Sequence, residues 1–247
     1  MTSTYDRPVL LVLGAGPGLG MSVAHRFGAE GYAVALVSRS AERHPDYLRS
    51  LADAGVEAAA FTADAADPAA LRAAVDAVRH RFDRIDVGYF GPAALGSLAG
   101  DITQLDAAGA EAALRKVVPA VDFASLLLPE MTQRGSGGLL FAGGLSSVVP
   151  MPPLGGLALA SAALRNYAVT LHAALAPAGI YAGTITIGGL IERGDIYRAM
   201  ASNPDLFGGL GAPTLNPDDL ADTVWQLYRN RTNPEAVVNA LPSPASR

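Results

Sequence analysis

The sequence predicts an α/β fold: one domain built on a doubly wound parallel sheet of about seven strands, with helices on both faces. Three observations predict it. Short apolar runs and longer helix-period segments alternate along the chain. The runs are apolar throughout, with little period-2 alternation, as in strands covered by helices on both sides. No linker, repeat or low-complexity stretch divides the 247 residues, half of which are hydrophobic, so 1–247 reads as a single unit.

The strands are expected near 8–13, 32–37, 57–61, 86–90, 138–142, 181–187 and 236–239. The helices are expected near 18–30, 41–54, 68–82, 107–132, 155–177 and 217–230. Asp67-Pro68 and Asn216-Pro217 place a capping side chain just before a proline suited to the first helical turn. Gly31, Gly55 and Gly179 sit just past helix ends, where a left-handed residue is wanted. The stretch 188–215, rich in Gly, Pro and Asn, interrupts the alternation and reads as a substrate loop or lid.

Composition excludes several classes. The net charge is −5 and no Lys/Arg cluster occurs, so no nucleic-acid partner is expected. The chain has no cysteine, which removes disulfides, thiolate metal sites and thiol catalysis. No apolar run reaches the roughly 18 residues of a membrane span, and the start lacks the succession of a signal peptide. The expectation is a cytoplasmic protein without a membrane partner. The four histidines show no metal-ligand spacing.

The strongest chemical signal is Leu13-Gly14-Ala15-Gly16-Pro17-Gly18-Leu19-Gly20, directly after an apolar strand and opening a helix. Gly14 permits a sharp turn, Gly18 lets backbone N–H groups approach phosphate oxygens, and Gly20 allows helix and strand to pack closely. This predicts a dinucleotide site. At the end of the second strand stands Val37-Ser38-Arg39-Ser40. An acidic residue there would accept ribose hydroxyls and repel a 2′-phosphate, whereas a guanidinium forks onto one. Arg39, with hydroxyls from Ser38 and Ser40, therefore selects NADP(H) over NAD(H), with Arg43 as a second phosphate contact.

These features resemble the short-chain dehydrogenase/reductase family, whose usual loop is TGxxxGxG. Gly14, Gly18 and Gly20 fall on its glycines and Leu13 replaces the Thr. The resemblance runs over nearly the whole chain and implies a Rossmann-type fold. It implies that Asp64 and Ala65 meet the adenine ring. It also brings Gly91, in Phe90-Gly91-Pro92-Ala93, and Gly188, in Ile187-Gly188, to the cofactor. It implies a homodimer or homotetramer assembled through helices 107–132 and 155–177.

The catalytic end departs from the family. Aligned on Ala162-Ala163-Leu164, the positions of its Ser, Tyr and Lys become Gly144, Leu157 and Ser161. Its Asn falls near Lys116 to Val118, where no Asn lies. Lys116 is the only lysine, so no Tyr-x3-Lys exists. Ser146 or Ser147 could replace the serine, and Glu192, Arg193, Asp195 or Tyr197 could serve from the 188–215 loop. The expected pocket wall is apolar: Leu157, Phe90, Pro92, Val148, Val149, Met151, Pro152, Pro153 and Leu154. Two readings follow. One is an atypical NADP(H)-dependent reductase acting on a carbonyl of a hydrophobic, polycyclic-type metabolite. The other is a catalytically degenerate member that binds cofactor or acts as a scaffold. A non-redox reaction in the same pocket is a further alternative.

Overall fold

In the computed structural model the structure describes residues 7–92, 100–202 and 213–242. The first strand, β1 (Val9–Leu13), is buried at every residue. Val9, Leu11 and Leu13 enter one apolar cluster while Leu10 and Val12 enter another. That is the period-2 geometry of a strand covered on both faces, and it explains why the run shows no polar alternation.

Helix α1 (Leu19–Ala29) follows, then β2 (Ala33–Ser38), α2 (His44–Asp53), β3 (Ala58–Thr62), α3 (Pro68–Phe82) and β4 (Val87–Phe90). The second half holds α4 (Ala107–Arg115), α5 (Val118–Arg134), β5 (Gly137–Gly144), α6 (Gly155–Leu175) and β6 (Ile180–Gly188). It ends with β7 (Leu190–Ile191), α7 (Asp195–Ser202), β8 (Thr214–Leu215), α8 (Pro217–Asn230) and β9 (Glu235–Asn239). The main sheet has seven strands in the order β3-β2-β1-β4-β5-β6-β9, all parallel. The chain reverses its winding between β1 and β4, so the crevice outside their carboxyl ends is where such sheets bind ligands.

One face is covered by α3, α5 and α6, with Phe82, Phe123 and Ala168 inside. The other is covered by α1, α2 and α8, with Phe27, Leu51 and Trp225 inside. Caps fall where the sequence puts them: the Asp67 side chain accepts from the N–H of Ala69 and Ala70, and Asn216 from Asp218.

Two expectations are corrected. The single helix over 107–132 is two helices. Pro119 lacks an N–H and its ring crowds the carbonyl four residues earlier. The turn before it tightens accordingly, with Lys116 and Val117 bonded to Ala113 and Leu114. The 188–215 stretch is not one irregular loop. It contains β7, α7 and β8, and β7 pairs in parallel with β8. Ala93 and residues 203–212 of that stretch lie outside the described residues.

Candidate functional site

The turn after β1 is built by contacts that only glycine tolerates. Gly14 has φ +90°, and a Cβ there would stand 2.6 Å from the Pro92 nitrogen and 2.7 Å from the Gly91 carbonyl carbon. The ends of β1 and β4 are thus locked together, with Gly91 N–H donating to Leu13. A Cβ on Gly20 would meet the Gly14 oxygen at 2.8 Å, so this position brings the start of the helix close against the turn that follows β1. Gly16 is open: the nearest atom to a Cβ there is the Gly14 oxygen at 3.9 Å. Helix α1 has no side-chain cap and no acidic residue in its first turn. Its leading N–H groups and positive dipole end are therefore left without a capping side chain of the helix's own. An open glycine beside an uncapped helix start fits a diphosphate.

Gly18 also has a close neighbour within the protein. A Cβ there would lie 3.1 Å from the Gly194 Cα and 3.2 Å from the Glu192 oxygen. The close approach at Gly18 is made by the backbone that follows β7. Several contacts fasten this strap. Glu192 accepts from the Thr214 hydroxyl at 2.7 Å, and its N–H donates to Leu215. Arg193 holds a left-handed backbone, φ 65°. Its guanidinium donates to the Ser22 hydroxyl at 3.1 Å and pairs with Asp218 at 2.7 Å. Burial opposes ionisation of Asp218, but the hydrogen bonds from Arg193 and Ser22 prevail and hold its carboxyl below the usual range. Asp195 pairs with Arg43 at 2.8 Å. Tyr197 lies half-buried on α7.

At the end of β2, Arg39 is exposed and, among the described residues, forms no ion pair. Ser38 is turned inward: its hydroxyl donates to the Ser40 carbonyl and shares a 2.7 Å hydrogen bond with His44 Nε2. Burial lowers the pKa of His44. The Ser40 hydroxyl accepts from the Glu42 N–H. Asp64 is exposed and closes a turn by accepting from the Ala66 N–H, and Ala65 packs partly against the core.

Gly144 and Ser161, from β5 and α6, come together. A Cβ on Gly144 would lie 3.3 Å from the Ser161 hydroxyl oxygen and 3.7 Å from that of Ser146. Ser161 is buried. The buried Ser147 hydroxyl has no hydrogen-bond partner among the described residues. Leu157, four residues before Ser161 on α6, is partly buried and packs against the cluster of Ala113 and Ala160. Gly188 is fixed from behind, its Cβ position lying 2.5 Å from a Leu145 methyl.

The apolar wall is only partly realised. Phe90 is a core residue, 4% exposed, its ring against Phe123 and Phe141. Val148 is exposed, and the Pro152 and Pro153 carbonyls accept from Ile102 and Gly100. Sequence reasoning missed a cavity of about 670 Å³ beside the α4–α5 junction, lined by Ala66, Leu105, Ala112, Lys116, Val118 and Gly156 among others. Among the described residues no group of His, Asp and Glu is placed to hold a metal, and no helix is long and apolar enough to cross a membrane.

Comparison with known proteins places this geometry. A protein of Streptomyces coelicolor that carries the provisional name ketoacyl reductase is 39% identical over 85 residues, 34% of this chain and 33% of its own length. The matches span about a third of the length of the curated relatives. The L-sorbose reductase from Gluconobacter frateurii, complexed with NADPH and L-sorbose, has 24% identity and a TM-score of 0.80, with 97% of each chain covered. An actinorhodin polyketide ketoreductase variant with NADPH reaches 0.84 at 20% identity, again over 97% of each chain. At these identities the likeness is one of fold. The short chain dehydrogenase family model matches residues 8–193, most of the sequence, and the chain belongs to that family.

Proposed function

We propose that this protein is an atypical NADP(H)-dependent oxidoreductase that reduces a carbonyl of a hydrophobic, polycyclic-type metabolite without the family's usual Ser-Tyr-Lys set. The observation that carries the reading is the open Gly16 turn at the uncapped start of α1, combined with an exposed Arg39 that forms no ion pair among the described residues. That fold neighbours include complexes with NADPH supports the choice of dinucleotide.

Gly14, Gly16, Pro17, Gly18, Leu19 and Gly20 would hold the diphosphate by backbone N–H groups. Arg39 and the Ser38–Ser40 turn would hold the 2′-phosphate. Asp64 and Ala65 would border the adenine, and Gly91 and Gly188 the rest of the crevice. The bound cofactor supplies a hydride. The Ser161 and Ser146 hydroxyls beside Gly144 would donate hydrogen bonds to a substrate oxygen. A fixed donor at a developing oxyanion is worth about 10²–10³ in rate. Neither hydroxyl loses its proton at neutral pH, so the proton comes from solvent or from the substrate's own hydroxyl.

A second reading has its own observation. Leu157, at the position of the family's Tyr, packs against the Ala113 and Ala160 cluster, which suits a member that keeps the dinucleotide and has given up the reaction. We also propose that copies of the chain associate through the α4–α5 face, which exposes Leu114, Val118 and Val121.

The test is a fluorescence titration with NADPH and NADH. Binding of NADPH with a clear preference over NADH is expected. Arg39→Asp should weaken NADPH on the order of 10- to 100-fold, the worth of one or two hydrogen bonds to a charged group, and change NADH little. Absence of binding at millimolar concentration would refute both readings. Turnover of quinones and polycyclic ketones then separates reductase from binding protein.

A further inference from the structure

The strap after β7 is tied to the β2–α2 turn by one ion pair. A terminal guanidinium nitrogen of Arg43 lies 2.8 Å from both carboxylate oxygens of Asp195. The two residues are 152 positions apart. Arg43 belongs to the turn that contains Ser38, Arg39 and Ser40, and it directly precedes α2. Asp195 begins α7, immediately after the Gly194 that rests on Gly18. The pair therefore joins the edge where a 2′-phosphate is expected to the segment lying on the glycine turn.

Other charges near this edge are differently engaged. Asp46 is paired with Arg49, Arg193 with Asp218, and Glu192 with Thr214. The Arg43 and Asp195 side chains are 48% and 59% exposed. Exposed pairs of this kind contribute little net free energy, so Arg43 is inexpensive to release. A phosphate monoester offers it about two negative charges and three acceptor oxygens, more than a carboxylate can.

We propose that Arg43 exchanges partners, bonding Asp195 in the free protein and the 2′-phosphate of a bound dinucleotide in the complex. Asp195 is then a specificity-determining residue: it competes for Arg43 and so lowers affinity for 2′-phosphorylated ligands alone. The inference rests on the proposed NADP(H) site and adds to it a competitor 152 positions away. Competition of this form scales the apparent dissociation constant by one plus the pairing constant. For an exposed pair that factor is about two to five.

The experiment is calorimetric titration with 2′,5′-ADP and with 5′-AMP, which carry no nicotinamide and need no turnover. Wild type, Asp195→Asn, Arg43→Gln and the double variant are compared. Asp195→Asn is expected to tighten 2′,5′-ADP two- to fivefold and leave 5′-AMP unchanged. Arg43→Gln should weaken 2′,5′-ADP about tenfold, and Asp195→Asn should then have no further effect in its background. Unchanged or weaker 2′,5′-ADP binding by Asp195→Asn, equal tightening of both ligands, or an effect that persists without Arg43 would overturn the exchange while leaving the dinucleotide site in place. Failure of the wild-type protein to bind either ligand would overturn the site and the exchange together. Both side chains are exposed, so matching thermal transitions across the four proteins establish that all are folded.

Discussion

Replacing Gly14 by alanine separates what the glycine turn does for the fold from what it does for a ligand. The added methyl would stand 2.6 Å from the Pro92 nitrogen and 2.7 Å from the Gly91 carbonyl carbon. Both are backbone atoms, so no side chain can swing aside. The residue would also have to hold φ +90°, which costs an L-residue about 1–2 kcal/mol. Overpacking adds about 1–3 kcal/mol. The sum, about 2–5 kcal/mol, corresponds to a fall in Tm of roughly 4–20 °C for a chain of this size. Gly16→Ala is the matched control. Its methyl meets no atom closer than the Gly14 oxygen at 3.9 Å, so stability should stay within about 0.5 kcal/mol of wild type. In the proposed diphosphate site that methyl would stand beside the phosphate oxygens, so NADPH affinity should fall. Circular dichroism melts and cofactor titration read the two effects independently. Equal Tm values for wild type and Gly14→Ala would refute the packing argument. Unchanged NADPH affinity in Gly16→Ala would refute the placement of the diphosphate.

Three further outcomes follow from packing and charge. Phe27 is fully buried, with the ring of Trp225 edge-on at 4.9 Å; Phe27→Ala should cost about 3–5 kcal/mol in urea unfolding and shift the emission of Trp225, the only tryptophan, to the red, and a loss under about 1 kcal/mol would contradict this packing. Glu235 accepts two hydrogen bonds from Arg165 and one from Thr186; the Arg165 hydrogen bonds, against the opposing effect of burial, hold its pKa below 4.5. Its contribution is therefore complete above pH 4.5 and fades as pH falls below it, so the Tm gap between wild type and Glu235→Gln should narrow in acid, and a gap that widens there would reverse the assignment. Val118 is 50% exposed on α5; Val118→Asp should lower the mass seen by light scattering without loss of helicity, and an unchanged mass would remove this face from the proposed assembly.

How much of this was legible in the sequence depends on how local each constraint is. The glycine turn was readable because one backbone angle and a few sub-van der Waals approaches leave only one residue type at Gly14 and Gly20, and the motif lies within eight positions. The β1 run was readable because burial on both faces leaves every residue apolar. The helix over 107–132 was misread although Pro119 was in plain sight, because the apolar pattern continues across it and outweighed the missing N–H. Phe90 was misassigned because a residue at a strand's end can face the crevice or the core, and only the rings of Phe123 and Phe141 decide which. The strap was invisible for a different reason. Arg193 reaches Ser22 across 171 positions and Asp195 reaches Arg43 across 152, and surface charges carry no period by which distant partners can be matched. Gly144 and Ser161 fall between these cases. Their proximity comes from α6 packing back against β5, and no property of either residue announces it. The family's spacing did place them together, and the structure brings the Ser161 hydroxyl to 3.3 Å from where a Gly144 side chain would begin. A borrowed pattern can thus bring together residues that the structure also juxtaposes, even where their types have changed. The chemistry at such a site has to be argued from the residues present, here two hydroxyls near a glycine and a leucine packed against the Ala113–Ala160 cluster.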